Sequence, residues 1–96
     1  MSTSDTDRQI IHDEQAKRFI LPVNGKQAFI NYRVKEGVLH LTYAETPYEL
    51  RGQGIGHELA EKTFQYLQDH NMKAVPICGF IRRVQRSSNA WDDVFS

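Results

Sequence analysis

The chain has 96 residues, enough for one domain with a modest core that needs no staples. Its 12 basic and 12 acidic side chains cancel, so no overall field draws it to nucleic acid or a membrane surface. One cysteine excludes an internal disulfide and suits a reducing, cytoplasmic setting. The first nine residues are polar, unlike a secretory signal, and no apolar run approaches the roughly 20 residues that cross a bilayer. The expectation is an irregular or disordered tail over 1–16 and a single domain over 17–96.

In chain order, residues 18–23 are mostly apolar and run into Asn24-Gly25, a strong two-residue hairpin signal. Ala28, Ile30, Tyr32 and Val34 then alternate with Phe29, Asn31, Arg33 and Lys35, the period-two pattern of a half-buried strand. Glu36-Gly37 marks a second reversal, and Val38, Leu39, Leu41 and Tyr43 make a third strand. A three-stranded antiparallel meander over 18–44 follows. Strict alternation would put His40 on the opposite face from Tyr43 and Glu45, so this strand alone could not assemble a site. Pro47 breaks the pattern, because proline cannot donate to a ladder.

Ile55, Leu59, Ala60, Phe64 and Leu67 recur at three- and four-residue spacings, with Glu58, Glu61, Lys62, Gln65 and Gln68 on the other side. That predicts an amphipathic helix, with Asn71 as its left-handed terminator. Residues 73–78 read as a short strand in which Pro76 implies an edge or a place where strands part. A second helix is expected over 80–85, and Trp91, Val94 and Phe95 pack back as a C-terminal clasp. The order β-β-β-α-β-α makes an α+β fold.

Between the meander and the first helix lies Leu50-Arg51-Gly52-Gln53-Gly54-Ile55-Gly56. Alternate glycines let a backbone turn with its N–H groups exposed, and the following helix offers unpaired donors and the positive end of its dipole. Together they form a phosphate cradle. A Walker loop is excluded, since no glycine-lysine-hydroxyl succession occurs. The dinucleotide fingerprint is excluded too: His57 replaces its third small residue, and the preceding strands look antiparallel.

On these residues the sequence resembles the GNAT superfamily of acetyltransferases. Its hallmark is Arg or Gln, two residues, Gly, one residue, then Gly or Ala, matched by Arg51, Gly54 and Gly56. Glu45-Thr46-Pro47 ahead of the loop and Pro76-Ile77-Cys78-Gly79-Phe80-Ile81 after the helix are similar to a minimal, YjdJ-like branch. The resemblance runs from about Phe19 to Val94. It implies an N-acetyltransferase moving acetyl from acetyl-coenzyme A to an amine, with Thr46, Arg51, Gly52, Gln53, Gly54, Ile55 and Gly56 binding the coenzyme. Thr46 would act through its backbone, pairing with the pantetheine arm as if that arm were an extra strand.

Acetyl transfer needs a neutral amine, a stabilised oxyanion and a protonated or solvated leaving thiolate. Cys78 would end a strand and begin a helix, where the dipole favours thiolate. The resemblance makes it an acetyl-accepting or active-site residue, whereas by itself a lone cysteine is also a common small hydrophobe. Glu45, at a strand end before the loop, is the implied base for the amine proton, and equally fits a solvated strand-end charge. Tyr43 and His40 could serve instead. Direct transfer in a ternary complex, assisted by Glu45, is preferred to acetylation of Cys78. A short chain implies an open site for a peptide, protein or polyamine.

The branch pattern is left at four places. Gly79 replaces a proline after the cysteine, Val84 a tyrosine on the last helix, Tyr43-Ala44 a His-Thr, and Ser88-Asn89 a His-Pro. These departures leave a second reading open, a non-catalytic acyl-coenzyme A sensor. No metal is expected, since His57-Glu58-Leu59-Ala60-Glu61 lacks the second histidine of a zinc helix. Arg82, Arg83 and Arg86 read as a wet helix face, and no aromatic platform points to nucleic acid.

Overall fold

Two tight turns explain the first half of the fold. Asn24 and Gly25 have φ of 51° and 79°, and Glu36 and Gly37 have φ of 54° and 79°. Paired left-handed residues give two-residue hairpins whose twist matches the flanking strands. In the computed structural model, which describes residues 8–95, these turns join β2 (Arg18–Val23), β3 (Lys26–Lys35) and β4 (Val38–Glu45). With β1 (Ile11–Asp13) and β5 (Ala74–Pro76) they form one sheet in the order β1-β2-β3-β4-β5. The first three pairings are antiparallel and β4–β5 is parallel. A parallel pair needs a crossover, supplied by α1 (Ile55–Asp69). Asn71, with φ of 55°, is the left-handed residue just past that helix. A 3-10 turn (Tyr48–Leu50) precedes the glycine loop, and α2 (Gly79–Arg86), a second 3-10 turn (Asn89–Trp91) and α3 (Asp92–Phe95) complete the described chain.

The core lies between one sheet face and the helices. Phe19, Leu21, Ile30, Tyr32, Leu39 and Leu41 from the strands meet Leu59, Phe64, Leu67, Ile81, Trp91 and Val94. Trp91 and Phe95 close on Phe64 edge-on, at 5.6 Å and 4.9 Å between ring centroids, which makes the expected clasp. The opposite sheet face carries Arg18, Phe29, Asn31, Arg33, His40, Tyr43, Glu45 and Val75, and no helix among the described residues covers it.

The N-terminal expectation needs correction. Residues 1–7 of the anticipated tail lie outside the described residues, but Ile11–Asp13 is a strand, in register Ile11↔Ile20 to Asp13↔Arg18. His12 explains it. Its ring stacks on Phe19 at 4.3 Å, and its Nε2 and Nδ1 lie 2.7 Å from the Tyr32 hydroxyl and 3.1 Å from the Tyr66 hydroxyl. Arg8 adds a forked contact to the Glu58 carboxylate on α1, at 2.7 Å and 3.1 Å. The side chains that hydrogen-bond to this segment stand 20 and 50 or more residues away, beyond the reach of local pattern.

Candidate active site

The sheet opens between β4 and β5. Their pairing runs Leu39↔Ala74, His40↔Val75 and Leu41↔Pro76, and stops. At that apex the Leu41 carbonyl accepts from both the Ile77 and Cys78 N–H groups, each at 3.0 Å. Beyond it β4 continues to Glu45 paired with β3 alone, so its other edge has no strand partner among the described residues. Arg82 of α2 donates to the Ile77 carbonyl at 3.1 Å and the Pro76 carbonyl at 3.4 Å. A side chain thus satisfies acceptors that β4 has abandoned. Pro76, which has no N–H to lose, stands where the ladder ends.

Next to this fork the glycine loop delivers the N-terminus of α1. Gly54 caps the helix at φ 77°, a conformation in which an ordinary side chain is strained, and no side chain caps the first-turn N–H groups. Gly56 is required for a different reason. A Cβ there would stand 3.2 Å from the Phe80 ring and 3.3 Å from Thr46 Oγ1. The resulting cavity, about 290 Å³, is lined by Thr46, Leu50, Arg51, Gly52, Gly54, Ile55, Gly56, His57 and Phe80. The one acid in the helix's first turn, Glu58, is neutralised by Arg8 and by Lys62 at 2.9 Å. Burial alone would raise its carboxyl, but the hydrogen bonds from Arg8 and Lys62 outweigh that and hold it below its usual 4.5. The positive end of the helix dipole is left to the cavity.

A bulge in β4 rearranges the bare face. Asn31 pairs with Tyr43 while Tyr32 pairs with Leu41, so Thr42 is the extra residue and its hydroxyl donates to the Asn31 carbonyl at 3.3 Å. One added residue reverses the alternation that follows. His40 opposite Arg33, Tyr43 opposite Asn31 and Glu45 opposite Phe29 therefore share the uncovered face, contrary to the strict alternation read from the sequence. The Tyr43 hydroxyl donates to the Glu45 carboxylate. That bond, reinforced by the carboxylate's charge, raises the phenol above its usual 10.0, and the neighbouring Cys78 adds to the effect. Arg51 reaches Glu45 at 3.7 Å and donates from Nε to the Thr46 carbonyl at 3.0 Å, tying the strand end to the glycine loop.

The sequence profile of GCN5-related N-acetyl-transferases matches residues 18–94, nearly all of the described chain. The chain belongs to this family. Among curated proteins it is similar to NATD1 of Gallus gallus and of Mus musculus. Each is 28% identical over 78 residues, covering 78% of this chain and 71% of the relative. The solution structure of a GCN5-like protein from Staphylococcus aureus shares the fold. It has a TM-score of 0.66 at 24% identity and covers 92% of this chain and 87% of that one.

Within this GCN5-related domain, most of the loop residues named from the sequence line one cavity. Gln53 does not: its amide turns back to the Glu49 carbonyl at 3.2 Å. The Thr46 carbonyl already serves Arg51. Leu50, His57 and Phe80 complete the lining without having been singled out, and Phe80 had a visible signal in its position two residues after Cys78. Cys78 is a free, half-buried thiol at the N-cap of α2 and packs against the core edge. Val84 is buried on the core side of α2. Arg82 is not merely solvated but braces the tip of β5, and Arg83 lies over Phe80 at 5.8 Å.

Proposed function

We propose that the chain is an acetyl-coenzyme A-dependent N-acetyltransferase that hands acetyl directly to an amine at the β4–β5 fork. The observation that carries the reading is the pairing of an uncapped helix N-terminus at Gly54 with an unpartnered strand edge beyond Leu41. The residues fit the coenzyme: the cavity has free N–H donors for a diphosphate, and a side chain at Gly56 would crowd Phe80 and Thr46 on its wall. When bound, the coenzyme supplies an acetyl thioester.

The chain's own groups do the rest. First-turn N–H groups of α1 hold the diphosphate, and the open edge of β4 offers backbone partners to an extended arm. Glu45 takes the proton released by the attacking amine. Tyr43 donates to the departing sulfur and is recharged through its hydrogen bond to Glu45. The net exchange breaks one C–S bond, forms one amide C–N bond and carries one proton from amine to thiolate. A cytoplasmic setting, where Cys78 stays reduced, is part of the proposal.

Calorimetry with coenzyme A and transfer of labelled acetyl to a panel of amines test it together. Heat from the native protein, none from Gly54→Val, and label on an amine without label on Cys78 are the expected results. Binding with no transfer above the solution rate would leave an acyl-coenzyme A sensor in its place.

A further inference from the structure

On the bare side of the fork lies a second cavity, about 390 Å³, lined by Arg33, Val34, Lys35, His40, Thr42 and Ile77. It touches the apex directly: His40 and Thr42 flank Leu41, whose carbonyl accepts from Ile77 N–H. It shares no lining residue with the coenzyme cradle at the glycine loop. The bulge at Thr42 aligns His40 with Tyr43 and Glu45 on this face.

The cavity's chemistry is one-sided. Two of its lining side chains are cationic, one is a hydroxyl, one an imidazole, and none is a carboxylate. Among the described residues neither Arg33 nor Lys35 has an ion-pair partner, whereas Lys26 and Arg51 on the same sheet or loop do. His40 Nδ1 lies 3.2 Å from the Val38 carbonyl, which can only accept, so that nitrogen is assigned a proton. A guanidinium fork matches carboxylate or phosphate oxygens, while a polyamine would meet like charge here.

We infer that this cavity binds the acetyl acceptor, and that the acceptor is an amine carrying its own anionic group, a carboxylate or a phosphate. The inference rests on the acetyltransferase reading and narrows it, since it excludes the polyamines that an open site would otherwise admit. Arg33 and Lys35 hold the anion, and the amine lies toward His40 and the fork.

The test uses matched probes, O-phosphoethanolamine against ethanolamine and β-alanine against its amide. The first readout needs no turnover: the backbone amide signals of His40, Thr42 and Ile77 shift with an anionic probe and stay with its neutral partner. The second is the ratio of kcat/KM between partners, expected to favour the anionic amine by at least about tenfold and to fall to about one in Arg33→Gln/Lys35→Gln. The better arm tells carboxylate from phosphate. Absence of shifts with both anionic probes overturns the inference, as does a ratio near one in the native protein. Shifts without any turnover uphold the anion site and overturn the acetyltransferase reading instead.

Discussion

Tyr43 and Glu45 stand two residues apart on β4, on one uncovered face, with the phenol donating to the carboxylate. Because the carboxylate both accepts this bond and repels a phenolate, Tyr43 keeps its proton beyond the usual 10.0. Tyr43→Phe is expected to lower kcat about 100-fold, within the range for a lost general acid, while coenzyme affinity stays constant. Glu45→Gln should cost a similar factor. Retention of native kcat in both variants would disconnect the pair from the chemistry.

The two loop glycines should fail differently. Gly54→Ala forces a side chain into the left-handed region and is expected to cost about 1 kcal/mol of stability, read from urea unfolding. Gly56→Ala has no such backbone strain, but its methyl must displace Phe80 or Thr46 at the cavity wall. Its main effect should appear in coenzyme affinity by calorimetry. Saturating coenzyme A, at a hundred times its dissociation constant, should stabilise the native protein by about 2.7 kcal/mol.

His12 makes stability sensitive to mild acid. Its side chain is 6% exposed, and burial lowers its pKa below the usual 6.5; His70 lowers it further, while Glu14 and Asp13 act the other way. Tyr32 and Tyr66 face it from β3 and α1. The unfolded chain therefore takes up a proton before the folded one does. Stability contributed above pH 6.5 should be lost as pH falls from there through the folded value. Urea midpoints at pH 7.5, 6.5 and 5.5 should decline in the native protein and decline less in His12→Phe.

The Arg8 contact predicts a second, lower window. Arg8 and Glu58 meet through two hydrogen bonds with side chains 20% and 17% exposed, so Arg8→Ala is expected to cost about 1 kcal/mol. Since the folded Glu58 carboxyl lies below its usual 4.5, its stabilising contribution holds above that value and is lost as pH falls through the folded one. Arg8→Ala should shrink this acid-dependent loss. An unchanged unfolding curve would show that the N-terminal segment is held by β1 alone.

How far the sequence reached follows from the range of the interactions involved. Asn24-Gly25 and Glu36-Gly37 announce their turns because left-handed backbone is a property of the turn residues themselves. The three- and four-residue spacing from Ile55 to Leu67 announces α1, since a helix repeats within its own neighbourhood. Gly54 and Gly56 mark the cradle for the same local reason, and Pro76 marks a place where strands part. Strand β1 escaped, because His12 is ordered by Phe19, Tyr32 and Tyr66.

The face that carries the proposed chemistry was settled elsewhere. Residue alternation placed His40 apart from Tyr43 and Glu45, and one unpaired residue, Thr42, brought them together. A bulge depends on how β3 and β4 accommodate each other, so neither strand alone encodes it legibly. The same holds for the bracing of the fork by Arg82, the neutralisation of Glu58 by Arg8 and the gathering of Arg33 and Lys35 beside the apex. Local chain chemistry thus determined the turns, the helices and the glycine loop. Pairing between distant segments decided which side chains share a face, because side-chain direction in a sheet is fixed only once its register is.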